Sequence, residues 1–178
     1  IKPESRFDNG EVSLRVYRYL GSYQVAGYLY RGFYKEPMGI DMTAGAQYYP
    51  ELSTYGTSIR GPVFSGVLSA EYGYYDSRED SDGTNPMIPN SQHRYLVGFE
   101  REVWSDFTAG AQYYGEMMAD HDKYIQTRPQ GSPEFDELRQ VVTARLTQNL
   151  LYQTVRLSLF TFFRPTDEDW HIRPSVTY

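Results

Sequence analysis

The chain has 178 residues, the length of one ordinary domain, and it contains 18 Tyr, 9 Phe and 2 Trp but no Cys. The lack of Cys excludes disulfides, thiolate catalysis and Cys-ligated metals. The net charge of −6, with Lys and Arg scattered along the chain, argues against a nucleic-acid partner, because phosphates are neutralised by a basic patch. No apolar stretch approaches the roughly 20 residues that a spanning helix needs.

Apolar and polar residues alternate along most of the chain. In the first segment, Val12, Leu14 and Val16 alternate with Ser13 and Arg15. This period predicts about nine strands with two different faces, and no helix. In chain order the predicted strands lie near residues 11–20, 23–35, 51–60, 63–75, 92–103, 107–118, 138–148, 151–163 and 170–178.

The connections between these strands alternate in length. Long polar loops are predicted at 36–50, 76–91, 119–136 and, less so, 164–169. Short turns are predicted at Gly21-Ser22, Gly61-Pro62, Trp104 to Asp106 and Asn149-Leu150. This pattern is typical of an all-β, antiparallel up-and-down transmembrane β-barrel in a bacterial outer membrane, with the short turns periplasmic and the long loops extracellular.

The polarity of the turns bears on the extent of the barrel. If Gly21-Ser22 is periplasmic, Ile1 lies on the extracellular side. Complete bacterial barrels normally begin and end in the periplasm with an even number of strands. We therefore expect these strands to form part of a larger barrel.

Side chains near the predicted strand ends indicate that the apolar face contacts membrane lipid and not water. Arg18, Arg31 and Arg101 fall on that face but away from strand centres, where an arginine facing lipid costs about 2 to 4 kcal/mol. Aromatic residues form two candidate membrane-interface girdles, which include Tyr19, Tyr23, Trp104 and Phe107 beside short turns and Trp170 toward a long loop. A soluble lipocalin-like barrel or a β-sandwich would show the same alternation, so both stay open.

If the apolar face meets lipid, the opposite face lines the interior. The charged residues predicted to line a lumen are Arg15, Glu71, Arg94, Glu100, Glu116, Arg145, Arg156 and Arg173. Opposed charges across a lumen would set the field felt by a permeating solute. Alternatively, these residues pair across neighbouring strands and stiffen a narrow, filled barrel.

The sequence predicts no catalytic residue, no metal site and no cofactor. The acidic loop 76–83 could attract calcium. A calcium-binding loop of the EF-hand type, however, would need an acid where Arg78 stands and a Glu where Pro89 stands. His93, His121 and His171 lack metal-ligand spacing. No Gly-rich phosphate loop or GxSxG nucleophile motif is present.

Four stretches, STYGTSIRGPV, EYGYYDSREDSDGTNPMIPNSQHRYLVGFERE, FTAGAQYYGEMM and LSLFTFFRPTDEDWHIRPSVTY, together resemble a family of large, poorly characterised porin-like β-barrel proteins in the outer membrane of Gram-negative bacteria. The resemblance covers residues from about 11 to 178 and consists of strand and loop signatures. It implies an outer-membrane location and contact with membrane lipid and lipopolysaccharide. Family members continue with further strands, which again implies that this chain is part of a larger barrel.

We therefore predict a porin-like channel for passive diffusion of small hydrophilic solutes, with its arginines favouring anions weakly. A homo-oligomer or a larger membrane complex is an expected assembly. The main alternative is a small closed outer-membrane barrel with a structural or adhesion role. A soluble ligand-carrying barrel and an outer-membrane enzyme are the remaining alternatives.

Overall fold

The computed structural model describes residues 1–4 and 6–178. Eleven strands follow one another as β1 Val12–Leu20, β2 Tyr23–Phe33, β3 Gly39–Asp41, β4 Ala46–Tyr48, β5 Glu51–Val63, β6 Gly66–Ser77, β7 Gln92–Trp104, β8 Phe107–Met118, β9 Leu138–Leu150, β10 Val155–Arg164 and β11 Asp169–Thr177. Nine of them form one sheet in the order β1-β2-β5-β6-β7-β8-β9-β10-β11, while β3 and β4 form a separate hairpin. The prediction of an all-β, antiparallel, up-and-down fold is confirmed.

The large sheet is open. Strands β1 and β11 are its two edges, and each pairs with one neighbour only, β2 and β10 respectively. Every residue of both edge strands is exposed. The described residues thus form an open sheet of nine strands, and the predicted closure into a barrel is not seen among them.

The turn between β5 and β6 differs from the prediction at Gly61-Pro62. It lies at Phe64 and Ser65, which have φ angles of 46° and 59°. Pro62 continues β5, where its missing N–H is tolerated because β5 pairs with β2 only as far as Arg60. A proline placed where a strand has a neighbour on one side only does not end that strand.

The last short turn also differs. Strand β9 continues through the predicted turn at Asn149-Leu150 and ends at Leu150, and the chain reverses over residues 151–154. Leu151, Tyr152 and Gln153 all have positive φ, and the Asn149 amide donates to the carbonyl of Asp106 in the neighbouring turn at 2.9 Å. This bond extends β9 past its last alternating residue.

Two helices contradict the prediction of none. One is a single 3-10 turn at Phe7–Asn9, and the other is α1, His121–Thr127, in the loop between β8 and β9. Seven residues are too few to give the sequence a helical period, and α1 has no buried residue. No helix among the described residues is long and apolar enough to span a membrane.

The two rims of the sheet are unlike each other. The short-turn rim carries the connections at 21–22, 64–65, 105–106 and 151–154, and the long-loop rim carries those at 34–50, 78–91, 119–137 and 165–168. The buried residues concentrate near the long-loop rim and include Tyr34, Leu52, Ser77, Asp80 and Ile88. The core of the molecule is therefore a layer of packed loops on one rim, and not the sheet itself.

The long loops are bonded to one another. The Ile40 amide donates to the Met87 carbonyl at 2.9 Å, and the Asn90 side chain donates to the Ala119 carbonyl at 3.0 Å. Lys123 in α1 donates to the Asp82 carbonyl at 2.9 Å. These bonds link the first three long loops into one layer.

Candidate functional site: the polar face of the sheet

Strand register decides which side chains share a face, because direct cross-strand partners point the same way. One row of direct partners runs from Arg15 through Tyr28, Gly56 and Gly73 to Arg94 and Glu116. A second row runs from Glu100 through Gly110, Arg145 and Phe160 to Arg173. Glu71 and Arg156 stand at even spacing from members of these rows. All eight predicted lumen-lining residues therefore lie on one face, which we call the polar face.

Arg94 and Glu116 belong to a half-buried cluster at the long-loop end of the polar face. Arg94 Nε lies 3.6 Å from Glu116 Oε2, and Arg139 Nη1 lies 3.8 Å from Glu116 Oε1. Arg94 also donates to Gln92 Oε1 at 2.7 and 3.0 Å, and its guanidinium stacks 4.1 Å from the centre of the Tyr75 ring. These contacts fix the position of the Arg94 guanidinium.

The other six predicted lumen-lining residues are exposed. The described residues offer none of these six an ion-pair partner within 4.0 Å. Arg15 and Arg145 instead lie against aromatic rings, with Arg15 5.0 Å from the Tyr17 centroid and Arg145 5.6 Å from that of Phe160. Arg156 Nε donates to Asn149 Oδ1 at 3.2 Å. Within the part of the chain that the structure describes, no ion pair neutralises these six charges.

A hollow of about 470 Å³ lies in the middle of the polar face. Its charged lining consists of Arg15, Arg60, Glu71, Glu100 and Arg145. Gly110 leaves room for Glu100, whose Oε2 would lie 3.5 Å from a Cβ at that position. The Glu100 carboxylate therefore leans over Gly110, the direct partner of Arg145, and opposite charges face each other across strand β8.

The opposite side of the sheet is the apolar face. It presents exposed aliphatic residues, with Val12 68%, Val16 64%, Ile172 61% and Val176 72% exposed. Arg18, Arg31 and Arg101 lie on this face by register, since their direct partners are Val25, Val12 and Ala109. Arg18 and Arg101 stand near the short-turn rim, and Arg31 stands near the long-loop rim.

Four of the five predicted interface aromatics lie on the apolar face at its two ends. Trp104 stacks on Phe107 with ring centroids 3.9 Å apart at the short-turn rim, and Trp170 stacks on Phe163 at 4.1 Å toward the other rim. The Tyr23 hydroxyl donates to the Pro62 carbonyl at 3.0 Å. Tyr19 is the exception. It is the direct partner of Gln24 and accepts a hydrogen bond from it at 3.0 Å, so it lies on the polar face.

No protein-family model matches the chain, and no curated protein or solved structure is found to be similar to it. The resemblance to a porin-like family thus stays a prediction from the sequence stretches. Within residues 1–4 and 6–178, no group of three His, Asp or Glu side chains is arranged to hold a metal ion.

Further charged residues lie on the polar face by register but were missing from the sequence prediction, namely Arg60, Glu102, Arg139, Arg164 and Asp169, and two of them belong to the hollow or to the cluster around Glu116. Arg60 lines the hollow, and Arg139 approaches Glu116. The alternation itself could have found both, because Arg60 continues the series of Ser58 and Arg139 that of Arg145. They sit at the predicted ends of their strands, where the faces are hardest to assign.

The long-loop rim holds a perturbed tyrosine. The Tyr48 hydroxyl donates to Glu79 Oε2 at 2.7 Å, while Glu79 Oε1 accepts the Glu51 amide at 2.7 Å. Burial, followed by the hydrogen bond and the negative charge of Glu79, raises the pKa of Tyr48 to about 12. Glu79 thereby fastens the β3–β4 hairpin to the start of β5.

Proposed function

We propose that this chain forms part of the wall of an outer-membrane β-barrel whose polar face lines a passage for small hydrophilic solutes. The observation that carries the proposal is the opposition of the two faces over nine strands. Eight charged residues share one face, while the other exposes aliphatic side chains. Water on one side and lipid on the other is the environment that suits both faces of such a sheet.

Exposed apolar side chains are stabilised by contact with an apolar environment, and we propose that membrane lipid provides this contact. Ile59, Val97 and Leu146, on strands that have a neighbour on each side, are 43%, 48% and 38% exposed, whereas a soluble sandwich or carrier would pack such residues into a core. The strands of the sheet have 9 to 13 residues, which is enough to cross a bilayer when tilted. Lipid and lipopolysaccharide are thus the proposed partners of this face.

A sheet in lipid must also satisfy its edges, because unpaired backbone groups cost several kcal/mol each in hydrocarbon. The proposal therefore includes pairing of β1 and β11 with further strands that complete a barrel. In this arrangement the short-turn rim faces the periplasm and the long-loop rim faces the outside. Arg18, Arg31 and Arg101 would then reach the two polar interfaces of the membrane.

The charges of the polar face give the passage its proposed preference. The eight charged residues predicted for this face comprise five arginines and three glutamates, and Glu116 is already engaged by Arg94 and Arg139. Arg15, Arg145, Arg156 and Arg173 have no carboxylate partner among the described residues. A weak preference for anionic solutes follows, since unpaired cations raise the local concentration of anions.

The test is the intact mass of the native protein extracted in detergent, together with its single-channel conductance in a planar bilayer. A mass well above 20.7 kDa for the native species and a stable, weakly anion-selective conductance are expected. A protein that stays in solution without detergent would overturn the membrane proposal. A detergent-dependent protein that conducts nothing would overturn the channel.

The loop layer favours a second candidate, a structural or adhesion role for a membrane barrel. Loops that only connect strands rarely bury polar side chains, yet Asp80, Asn90 and Ser91 of loop 78–91 are 4%, 5% and 2% exposed. An ordered surface of this kind could contact other cells or envelope components. Absence of conductance combined with surface exposure of the long loops would favour this candidate.

A further inference from the structure

The first three long loops enclose a second cavity, separate from the hollow on the polar face. Its volume is about 470 Å³, within the range of small-molecule sites. Loop 34–50 contributes Pro37, Met38 and Ile40, and loop 78–91 contributes the run from Pro86 to Asn90. Loop 119–137 contributes Tyr124, Phe135 and Asp136. We call this cavity the loop pocket.

The walls of the loop pocket are apolar and polarisable. Tyr124 and Phe135 stack with ring centroids 6.3 Å apart, and Met38, Met87 and Met118 add three thioethers. Aromatic faces attract cations, and methionine adapts its shape to different apolar ligands. Such walls suit a small ligand with an apolar body.

Carboxylates outnumber cations among the lining residues. Glu116 and Asp136 line the pocket, and Arg139 is the one basic side chain of the described lining. Arg139 reaches Glu116 only at 3.8 Å, and Asp136 has no ion-pair partner within 4.0 Å among the described residues. Arg94 also approaches Glu116, at 3.6 Å, but its shorter hydrogen bonds go to Gln92 Oε1 at 2.7 and 3.0 Å. Glu116 is thus shared by two arginines, and Asp136 is the carboxylate of the described lining that has no cationic partner.

The loop pocket is preformed. The bond from the Ile40 amide to the Met87 carbonyl joins two of its walls. On the third loop, the Tyr124 hydroxyl donates to the Pro133 carbonyl at 3.2 Å and accepts the Phe135 amide at 3.1 Å. A ligand would thus enter a pocket whose ordering cost has already been met by the fold.

From this combination we propose that the loop pocket binds a small organic cation with an apolar body, such as an aromatic or alkyl ammonium ion. The ammonium group would lie beside Asp136, and the apolar body against Phe135 and the methionines. The proposal does not depend on conduction through the sheet, because the pocket is built from three loops and from the strand ends beside them, all within this chain.

The five methionines of the chain allow a direct test. The full chain is labelled with ¹³C at the methionine methyl groups and titrated in detergent micelles with benzyltrimethylammonium. Met38, Met87 and Met118 line the pocket and should shift together along one saturable curve. Met42 and Met117 lie outside the lining and should not follow that curve. Benzyl alcohol and phenylacetate serve as the matched neutral and anionic probes.

Two pairs of variants complete the test. Asp136→Asn should weaken benzyltrimethylammonium binding about two- to fivefold, whereas Asp122→Asn, on the exposed side of α1, should leave it unchanged. Phe135→Ala should also weaken binding, whereas Phe64→Ala, at the short-turn rim and 85% exposed, should not. Equal shifts with all three probes would overturn the assignment to a cation. Shifts of all five methionines together, or of none, would overturn the site.

Discussion

The hydroxyl of Tyr23 donates to the carbonyl of Pro62 at 3.0 Å, and the ring of the same tyrosine lies over Gly61. A Cβ at Gly61 would come within 2.3 Å of Tyr23 Cδ1. The absence of a side chain at Gly61 therefore leaves space for the Tyr23 ring. The Tyr23 hydrogen bond joins the start of β2 to the end of β5 beyond their last direct pair, Gln24 and Arg60.

We expect Gly61→Ala to displace the Tyr23 ring and to lower the free energy of unfolding by about 1 to 3 kcal/mol, a cost typical of overpacking. The control is Gly27→Ala in β2, where a Cβ meets nothing within 4 Å. Urea unfolding in detergent, followed by circular dichroism, measures both. Equal stability of the two variants would show that Tyr23 moves aside freely.

The second prediction concerns the buried carboxylate of Asp80, which is 4% exposed. Its two oxygens accept the amides of Thr84 and Asn85, each at 3.0 Å. Asp80→Ala leaves both amides without a partner, so we expect a loss of about 1 to 3 kcal/mol and faster proteolysis within 78–91. Asp82→Ala is the control, because its side chain is exposed and the Asp82 carbonyl that binds Lys123 is kept. Similar proteolysis of both variants would contradict the role of Asp80.

The third prediction is a titration at alkaline pH. Tyrosine ordinarily ionises near pH 10, and burial together with Glu79 raises the pKa of Tyr48 to about 12. A raised folded-state pKa stabilises the fold fully below pH 10, and this contribution is lost as the pH rises from about 10 to about 12. The absorbance at 295 nm of the wild type minus that of Tyr48→Phe should rise in this window. A difference signal complete by pH 10 would contradict the environment described for Tyr48.

The fourth prediction rests on the proposed channel. Arg145→Gln removes an unpaired cation from the polar face and should lower the ratio of anion to cation permeability by roughly twofold, equivalent to ~0.4 kcal/mol. Glu100→Gln, on the other side of β8, should raise the same ratio. Arg18→Gln changes an equal charge on the apolar face and should leave the ratio unaltered. Reversal potentials in a salt gradient measure all three, and an effect of Arg18→Gln as large as that of Arg145→Gln would contradict the assignment of the faces.

The two faces of the sheet were predictable because a strand reverses its side chains at every residue. That rule is local, so Val12 to Val16 and Arg94 to Glu100 could be assigned to faces without knowing any partner strand. The same rule puts Tyr19 on the polar face through its even spacing from Arg15, and its place in a membrane-interface girdle stays a prediction.

The turns were less predictable, because their usual signals are misleading in this chain. Gly61 and Pro62 are typical turn residues but lie within β5. Phe64 and Ser65 adopt positive φ without the Asn or Gly that such a turn favours. The position of that turn depends on the pairing of Val63 with Gly66, which is a tertiary contact.

The loop pocket could not be predicted at all. Ile40, Met87 and Phe135 come from three loops with no periodic pattern, and they meet only because polar backbone groups of those loops bond to one another. A sequence pattern reports the period of a strand or a helix, whereas such contacts between loops depend on the completed fold.

The alternation of side chains along the exposed edge strand β11 restricts the register in which another strand can pair with it. His171, Arg173 and Ser175 point to the polar face, and Ile172, Pro174 and Val176 point to the apolar face. A strand of the same two-faced kind that paired with β11 one residue out of step would place its charged side chains on the apolar face and its aliphatic side chains on the polar face. The two-faced pattern thus also restricts strand pairing at this edge, because only every second register keeps polar side chains on the polar face and apolar side chains on the apolar face.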